Sequence, residues 1–86
     1  MSRYEVTFAR SARRELEALE GRLVARIWAR IQRLADDPRP PGCRKLQGET
    51  RLWRIRVGDY RVLYEVNDDA NVVDIVAVRH RSDAYR

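Results

Sequence analysis

Polar and apolar positions alternate near the start of the chain and again through its second half, with helical spacing between. In residues 3–8, Tyr4, Val6 and Phe8 fall on one side and Arg3, Glu5 and Thr7 on the other. A period of two predicts a short strand, placed at a sheet edge. Ser11 is the predicted N-cap of a first helix. Its apolar stripe is Ala12, Leu16 and Leu19, with Arg13, Arg14, Glu15 and Glu17 turned outward. Gly21 interrupts the pattern, and a second stripe of Leu23, Ile27, Ile31 and Leu34 begins at once, joined by Val24, Trp28 and Ala35. So short a break predicts two antiparallel helices, their stripes, Trp28 included, packed on a sheet. Asp36, Asp37 and Pro38 end the second helix, because proline cannot continue the backbone bonding.

Residues 36–45 (DDPRPPGCRK) read as a loop stiffened by three prolines and Gly42. Strand alternation returns at 50–57, where Trp53, Ile55 and Val57 share the core face and Leu52, Arg54 and Arg56 the opposite one. Gly58–Asp59 is a hairpin break. In 60–66, Tyr60, Val62, Tyr64 and Val66 lie on the core face, opposite Arg61, Leu63 and Glu65. Asn67, Asp68 and Asp69 mark a polar turn. Residues 71–78 are apolar on both faces except Asp74, which suits a strand in the middle of the sheet. The predicted fold is α+β, in the order β-α-α-β-β-β, with a helical hairpin on one face of a small, mainly antiparallel sheet. One domain covers residues 1–86.

Composition sharpens this picture at one place. The 86 residues carry a net charge of +5, and all but one of the 18 basic side chains are arginines, Lys45 being the exception. Such a balance favours an acidic partner, a nucleic acid or an acidic protein segment. A bias toward arginine also arises from base composition alone. Its chemical result is the same, a planar fork that suits phosphate or carboxylate and holds its proton. A chain this short buries only about 60–65% of its unfolded surface, so its stability is modest. Cys43 is the lone cysteine and His80 the lone histidine, so neither a disulfide framework nor a metal site is expected, and no cofactor. No apolar run is long enough for a membrane span or a signal peptide, which predicts a cytoplasmic protein.

The unpartnered sheet face then carries Arg54, Arg56 and Arg61, with Arg51 beside them. Arg79 and Arg81 follow the last strand, with His80 between them and Tyr85 near the terminus. This set fits metal-independent phosphodiester cleavage. Arginines stabilise charge at the phosphate, and with RNA the nucleophile is the substrate's own 2′-hydroxyl. Tyr85 and His80 are the nearby groups that titrate in a useful range. Each residue also has a plain reading. The strand arginines can be a solvated face that blunts aggregation. Arg61 can pair with Asp59 or Glu65, Tyr85 can anchor the tail, and Glu49 is a solvated carboxylate.

KLQG (45–48), LWRIRVGDYRVLYEV (52–66) and IVAVRHRSDAYR (75–86) together resemble the RelE/ParE superfamily of toxins from bacterial toxin–antitoxin pairs, over essentially the whole chain. The ending with arginine then tyrosine is similar to the RelE side. The resemblance implies a ribosome-dependent mRNA endonuclease that cuts the A-site codon by 2′-hydroxyl attack, leaving a cyclic phosphate. Carried over by position, it implies Arg54, Arg56, Arg61, Arg81 and Tyr85 as catalytic residues; His80 joins that set on its own chemistry, and the basic residues Arg51, Arg54, Arg56, Arg61, Arg79 and Arg81 are the expected RNA-binding set. It also implies an acidic antitoxin as partner, and contact with operator DNA only through that complex. The chain stops at Arg86, so a longer C-terminal helix seen in relatives is expected to be missing. Arg54 and Arg56 fall where some members have two lysines, and arginine is a poor base. Three readings therefore stand: proton transfer by Tyr85 or His80, a slower enzyme, or a non-catalytic relative. A ParE-type gyrase poison is the alternative toxin.

Overall fold

The computed structural model describes residues 3–48 and 51–82, so Glu49 and Tyr85 lie outside the described residues. Five strands and two helices follow in the order β1 (Glu5–Phe8), α1 (Arg10–Glu17), α2 (Gly21–Arg33), β2 (Arg44–Lys45), β3 (Leu52–Val57), β4 (Tyr60–Asn67) and β5 (Val72–His80). They form one mixed sheet in the order β1-β5-β4-β3-β2. β1 runs parallel to β5, and the remaining pairs are antiparallel. The expected α+β layout holds, with β1 at an edge and β5 inside the sheet.

Parity sorts the core as the alternation predicts. Ile55, Val57, Val62, Tyr64, Val73, Ile75 and Val78 pack with Ala12, Leu16, Ile27, Ile31 and Leu34 of the helical layer. Tyr64 is fully buried, and its hydroxyl donates to the Pro38 carbonyl at 2.7 Å, which satisfies both groups. Burial, with Cys43 alongside, pushes the Tyr64 phenol well above its ordinary value. Among the described residues no helix is long and apolar enough to cross a membrane.

Several local expectations are corrected. α1 starts at Arg10, with extended Ala9 as a cap that makes no side-chain bond, so Ser11 is not the N-cap. The cause is the neighbouring strand: the Ala9 N–H donates to the Ile75 carbonyl at 2.8 Å, so the chain passes straight from ladder to helix. Gly21 opens α2 rather than interrupting a pattern, and the Glu20 carboxylate caps it by accepting the Arg22 N–H at 3.1 Å. Glu15 does not face outward; it accepts from the β5 backbone at Val78 N–H, 3.0 Å away. Trp28 is not core but 41% exposed. It sits on the flank of α2 and stacks on Phe8 with centroids 5.8 Å apart, at the rim of a groove that the short α1 leaves open.

The predicted loop 36–45 contains β2, which pairs Arg44 with Arg54 and Lys45 with Trp53. Arg79 and His80 belong to β5 rather than following it. A register shift opposite Leu63 and Tyr64 leaves Val76 as an extra residue in β5. At the far end a clasp ties the 36–43 segment to the β4–β5 turn. Arg39 holds Asp68 through two bonds of 3.2 and 2.9 Å, and Tyr4 donates to the same carboxylate at 2.7 Å. Arg39 also lies 5.1 Å over the half-buried Trp53 ring.

Candidate functional site

The β3–β4 hairpin turns through Gly58 and Asp59. Gly58 has φ +60°, as the first central residue of a type II′ turn requires. The Arg26 guanidinium of α2 lies alongside, its Nη2 3.4 Å from where a Cβ would stand, which is ordinary contact distance. This tight turn fixes the register, so Arg56 stands opposite Arg61, and Arg61 in turn opposite Arg79 of β5. Arg44 and Arg54 are paired one step along the same face. One end of the open face is thus a block of guanidinium groups.

Arg61 is the centre of that block. It is only 8% exposed, as is Arg54. Its Nη1 donates to the Arg81 carbonyl at 3.3 Å, and the Arg81 N–H donates to the Asp59 carbonyl at 2.8 Å. Together these bonds fold the chain after β5 against the hairpin turn. Arg61 forms part of the wall of two clefts. The first, about 290 Å³, is lined by Arg56, Gly58, Asp59, Tyr60, Arg61 and Arg81. The second, about 440 Å³, is lined by Arg44, Lys45, Leu46, Gln47, Arg54, Arg61 and Leu63. The first sets three guanidinium groups against one carboxylate, and the second holds four cations and no carboxylate. Both suit an anionic chain laid across Arg61.

The opposite end of the same face reverses the sign. Glu65, Asp68, Asp69 and Asp74 line a hollow of about 750 Å³, and Arg51 lies there with them, away from the other arginines. Arg79 is also diverted. Its Nε meets Glu15 of α1 at 2.6 Å, in a half-exposed ion pair. His80 pairs with Tyr60 on the opposite parity from Arg61, with its ring edge-on to Tyr60 at 5.3 Å. The Ser82 N–H donates to His80 Nδ1 at 3.3 Å, and the Ser82 hydroxyl lies 2.9 Å from the same nitrogen.

Of the predicted set, then, Arg54, Arg56, Arg61 and Arg81 line the two clefts; Arg79 and His80 sit beside them without lining either, Arg79 bound to Glu15 and His80 against Tyr60, and Arg51 lies at the acidic end. Tyr85 lies outside the described residues. Tyr60, Arg44, Lys45 and Gln47 also line the clefts, although alternation places Tyr60 on the core face and Arg44, Lys45 and Gln47 fall in the expected loop and its flank. The KLQG stretch was the available signal for Lys45 and Gln47.

Comparison with known proteins agrees with this layout. The family model described as ParE toxin of type II toxin–antitoxin system, parDE, matches residues 6–85. Toxin RelG of Mycobacterium tuberculosis is 34% identical over 87 residues, covering 96% of this chain and 97% of its own. The toxin–antitoxin complex RelBE2 from Mycobacterium tuberculosis superposes with a TM-score of 0.81 at 32% identity, over 91% of this chain and 98% of that one. An archaeal RelE–RelB complex from Pyrococcus horikoshii OT3 gives 0.82 at 30% identity, over 95% and 99%. With its two helices on a mixed five-stranded sheet, the chain belongs to the RelE/ParE family of toxins from type II toxin–antitoxin systems.

Proposed function

We propose that this toxin is an endoribonuclease that cuts mRNA in the ribosomal A site and is neutralised by a RelB-type antitoxin. The observation that carries the reading is the buried Arg61, shared by two arginine-lined clefts and joined to Arg81. Such a row of cations fits a single-stranded RNA backbone. In the reaction the substrate's 2′-oxygen bonds to the adjacent phosphorus and the bond to the 5′-oxygen breaks. The products are a cyclic phosphate and a 5′-hydroxyl end.

Charge on the phosphoryl oxygens rises as the 2′-oxygen attacks. Arg56, Arg61 and Arg81 stabilise it, and Arg54 holds the neighbouring backbone. Proton transfer falls to Tyr85 or to the Tyr60 hydroxyl at the cleft wall, because arginine keeps its proton. His80 is the weaker candidate, because it does not line the cleft and its Nδ1 is engaged with Ser82. Antitoxin complexes of the related toxins support a partner of the same kind here.

The test is cleavage of a short mRNA on programmed ribosomes, with the 5′ ends mapped. Cuts confined to the A-site codon are expected, and intact mRNA would sink the reading. The match to a ParE family model favours a second reading, a gyrase poison. Inhibition of supercoiling by purified gyrase, with mRNA left intact, would establish that one instead.

A further inference from the structure

Arg79 and Glu15 stand at the border of the site. Arg79 lies directly opposite Arg61 in the β4–β5 ladder. Residues so paired share a face, with Cα atoms ~4.5–5.5 Å apart. Register therefore gives Arg79 a place beside the centre of the clefts, yet it lines neither. Its side chain leans to the other edge of β5, where its Nε meets the Glu15 carboxylate at 2.6 Å. β1 leaves that edge at Phe8, opposite Ile75. Beyond it Glu15 takes the place of a strand, accepting the Val78 N–H at 3.0 Å with one oxygen and holding Arg79 with the other.

The two bonds differ in strength. Val78 is buried, so its N–H needs the partner that Glu15 supplies. The pair with Arg79 is open to water, with side-chain exposures of 43% and 28%, and such pairs hold weakly. Two guanidinium groups facing each other across a ladder repel, and Glu15 relieves this by drawing one of them away. A phosphodiester bound at Arg61 relieves it from the other side, because it sets a negative charge beside Arg79. The guanidinium fork suits phosphate as well as carboxylate. A strand already held by Arg56, Arg61 and Arg81 presents that phosphate at high local concentration, which a free anion does not.

We propose that Arg79 is a further phosphate contact for single-stranded RNA, withheld by Glu15 in the free toxin and released to the strand that fills the cleft. The proposal rests on the reading of the cleft given above. Glu15 is then a specificity determinant: the free protein meets a passing anion with fewer cations than it offers a strand in place.

Anisotropy of a labelled 2′-O-methyl oligoribonucleotide, whose blocked 2′-oxygen prevents cleavage, measures this across a salt series. Glu15→Gln keeps a carbonyl for the Val78 N–H and removes the charge that holds Arg79. It should bind roughly two- to fivefold more tightly, the fold-change that a half-exposed ion pair represents. Arg79→Gln should bind on the order of fivefold more weakly. Its slope of log affinity against log salt should be shallower by about 0.7, the value for one phosphate of a single strand. In the double variant the gain from Glu15→Gln should vanish, since no arginine is left to release. Glu17→Gln raises net charge equally from an exposed place on α1 and should bind like the parent.

Melting curves report folding. Arg79→Gln leaves Glu15 on Val78, so it tests the contact by itself if Glu15→Gln melts low. Parent-like affinity and slope in Arg79→Gln overturn the proposal. So does a gain from Glu15→Gln that survives in the double variant or is matched by Glu17→Gln. Arg56→Gln/Arg81→Gln should bind far more weakly than the parent in the same assay; if it does not, the reading of the cleft falls and the Arg79 contact with it. Failure of mRNA cleavage alone, with this binding pattern intact, refutes the nuclease and leaves Arg79 a recruited contact.

Discussion

Arg61 and Arg81 stand 20 positions apart in sequence and are joined by one hydrogen bond, from Nη1 of the first to the backbone carbonyl of the second. The two contribute unequally. Arg61 gives a buried guanidinium, whereas Arg81 gives only main chain and leaves its side chain exposed. Fold and chemistry are therefore separable at residue 81 and inseparable at residue 61.

Arg81→Ala should lower mRNA cleavage by about 10²–10³-fold, the usual cost of losing one stabiliser of developing charge. Its melting temperature should stay near the parent's, since an exposed change away from packing costs within about 0.5 kcal/mol. Arg61→Ala should lose as much activity and also about 1–3 kcal/mol of stability, because it strips a hydrogen bond from a buried position. Cleavage rates and thermal melts of both variants check this.

Proton transfer should be traced to a tyrosine. Tyr85→Phe should cost about 10²–10⁴-fold in cleavage, the range for general acid–base catalysis. His80→Ala should leave the rate close to the parent's, since the ring lies beside Tyr60 and bonds to Ser82. A pH–rate profile of each variant would expose the opposite assignment.

Tyr64→Phe removes one oxygen from the centre of the core. The Pro38 carbonyl then loses its 2.7 Å donor. Chemical denaturation should show a loss of about 1–2 kcal/mol with an unchanged m-value.

The clasp at Asp68 should give stability an acid limb. Its bond from Arg39, and then that from Tyr4, hold the Asp68 carboxyl below its usual range. A depressed carboxyl stabilises the folded state above its unfolded value of about 4, and that contribution is lost as pH falls through the lower folded value. Asp68→Asn should melt slightly lower at neutral pH and lose less stability than the parent on going from neutral pH down through this window. Melting curves across the acid range measure the difference, which will be small at so exposed a site.

The Arg56–Arg61 pairing was legible in sequence because two constraints agree. Alternation assigns each arginine to a face, and a two-residue turn sets the register. Other features had no such double signal. β2 has two residues and no period to read. Trp28 has the right helical angle for a flank position, but angle alone does not reveal that α1 leaves that flank uncovered. The bond from Val78 to Glu15 spans 63 residues, so local spacing could not predict it. Arg51 shares the composition of its neighbours, yet it falls at the acidic end of the sheet because charge along a strand says nothing about which end of the face it reaches.

The position of β5 has a consequence for biosynthesis. It lies inside the sheet, yet among the described elements it is the last to leave the ribosome. Until it emerges, β1 has no strand to pair with, α1 has no backbone edge for Glu15 to cap, and Arg61 has no Arg81 carbonyl to hold. The nascent chain can form its helices and the β3–β4 hairpin but cannot close the core around Val73 and Ile75. Translation must therefore run through β5 before a folded toxin exists, which opens an interval in which antitoxin can meet the chain before it folds.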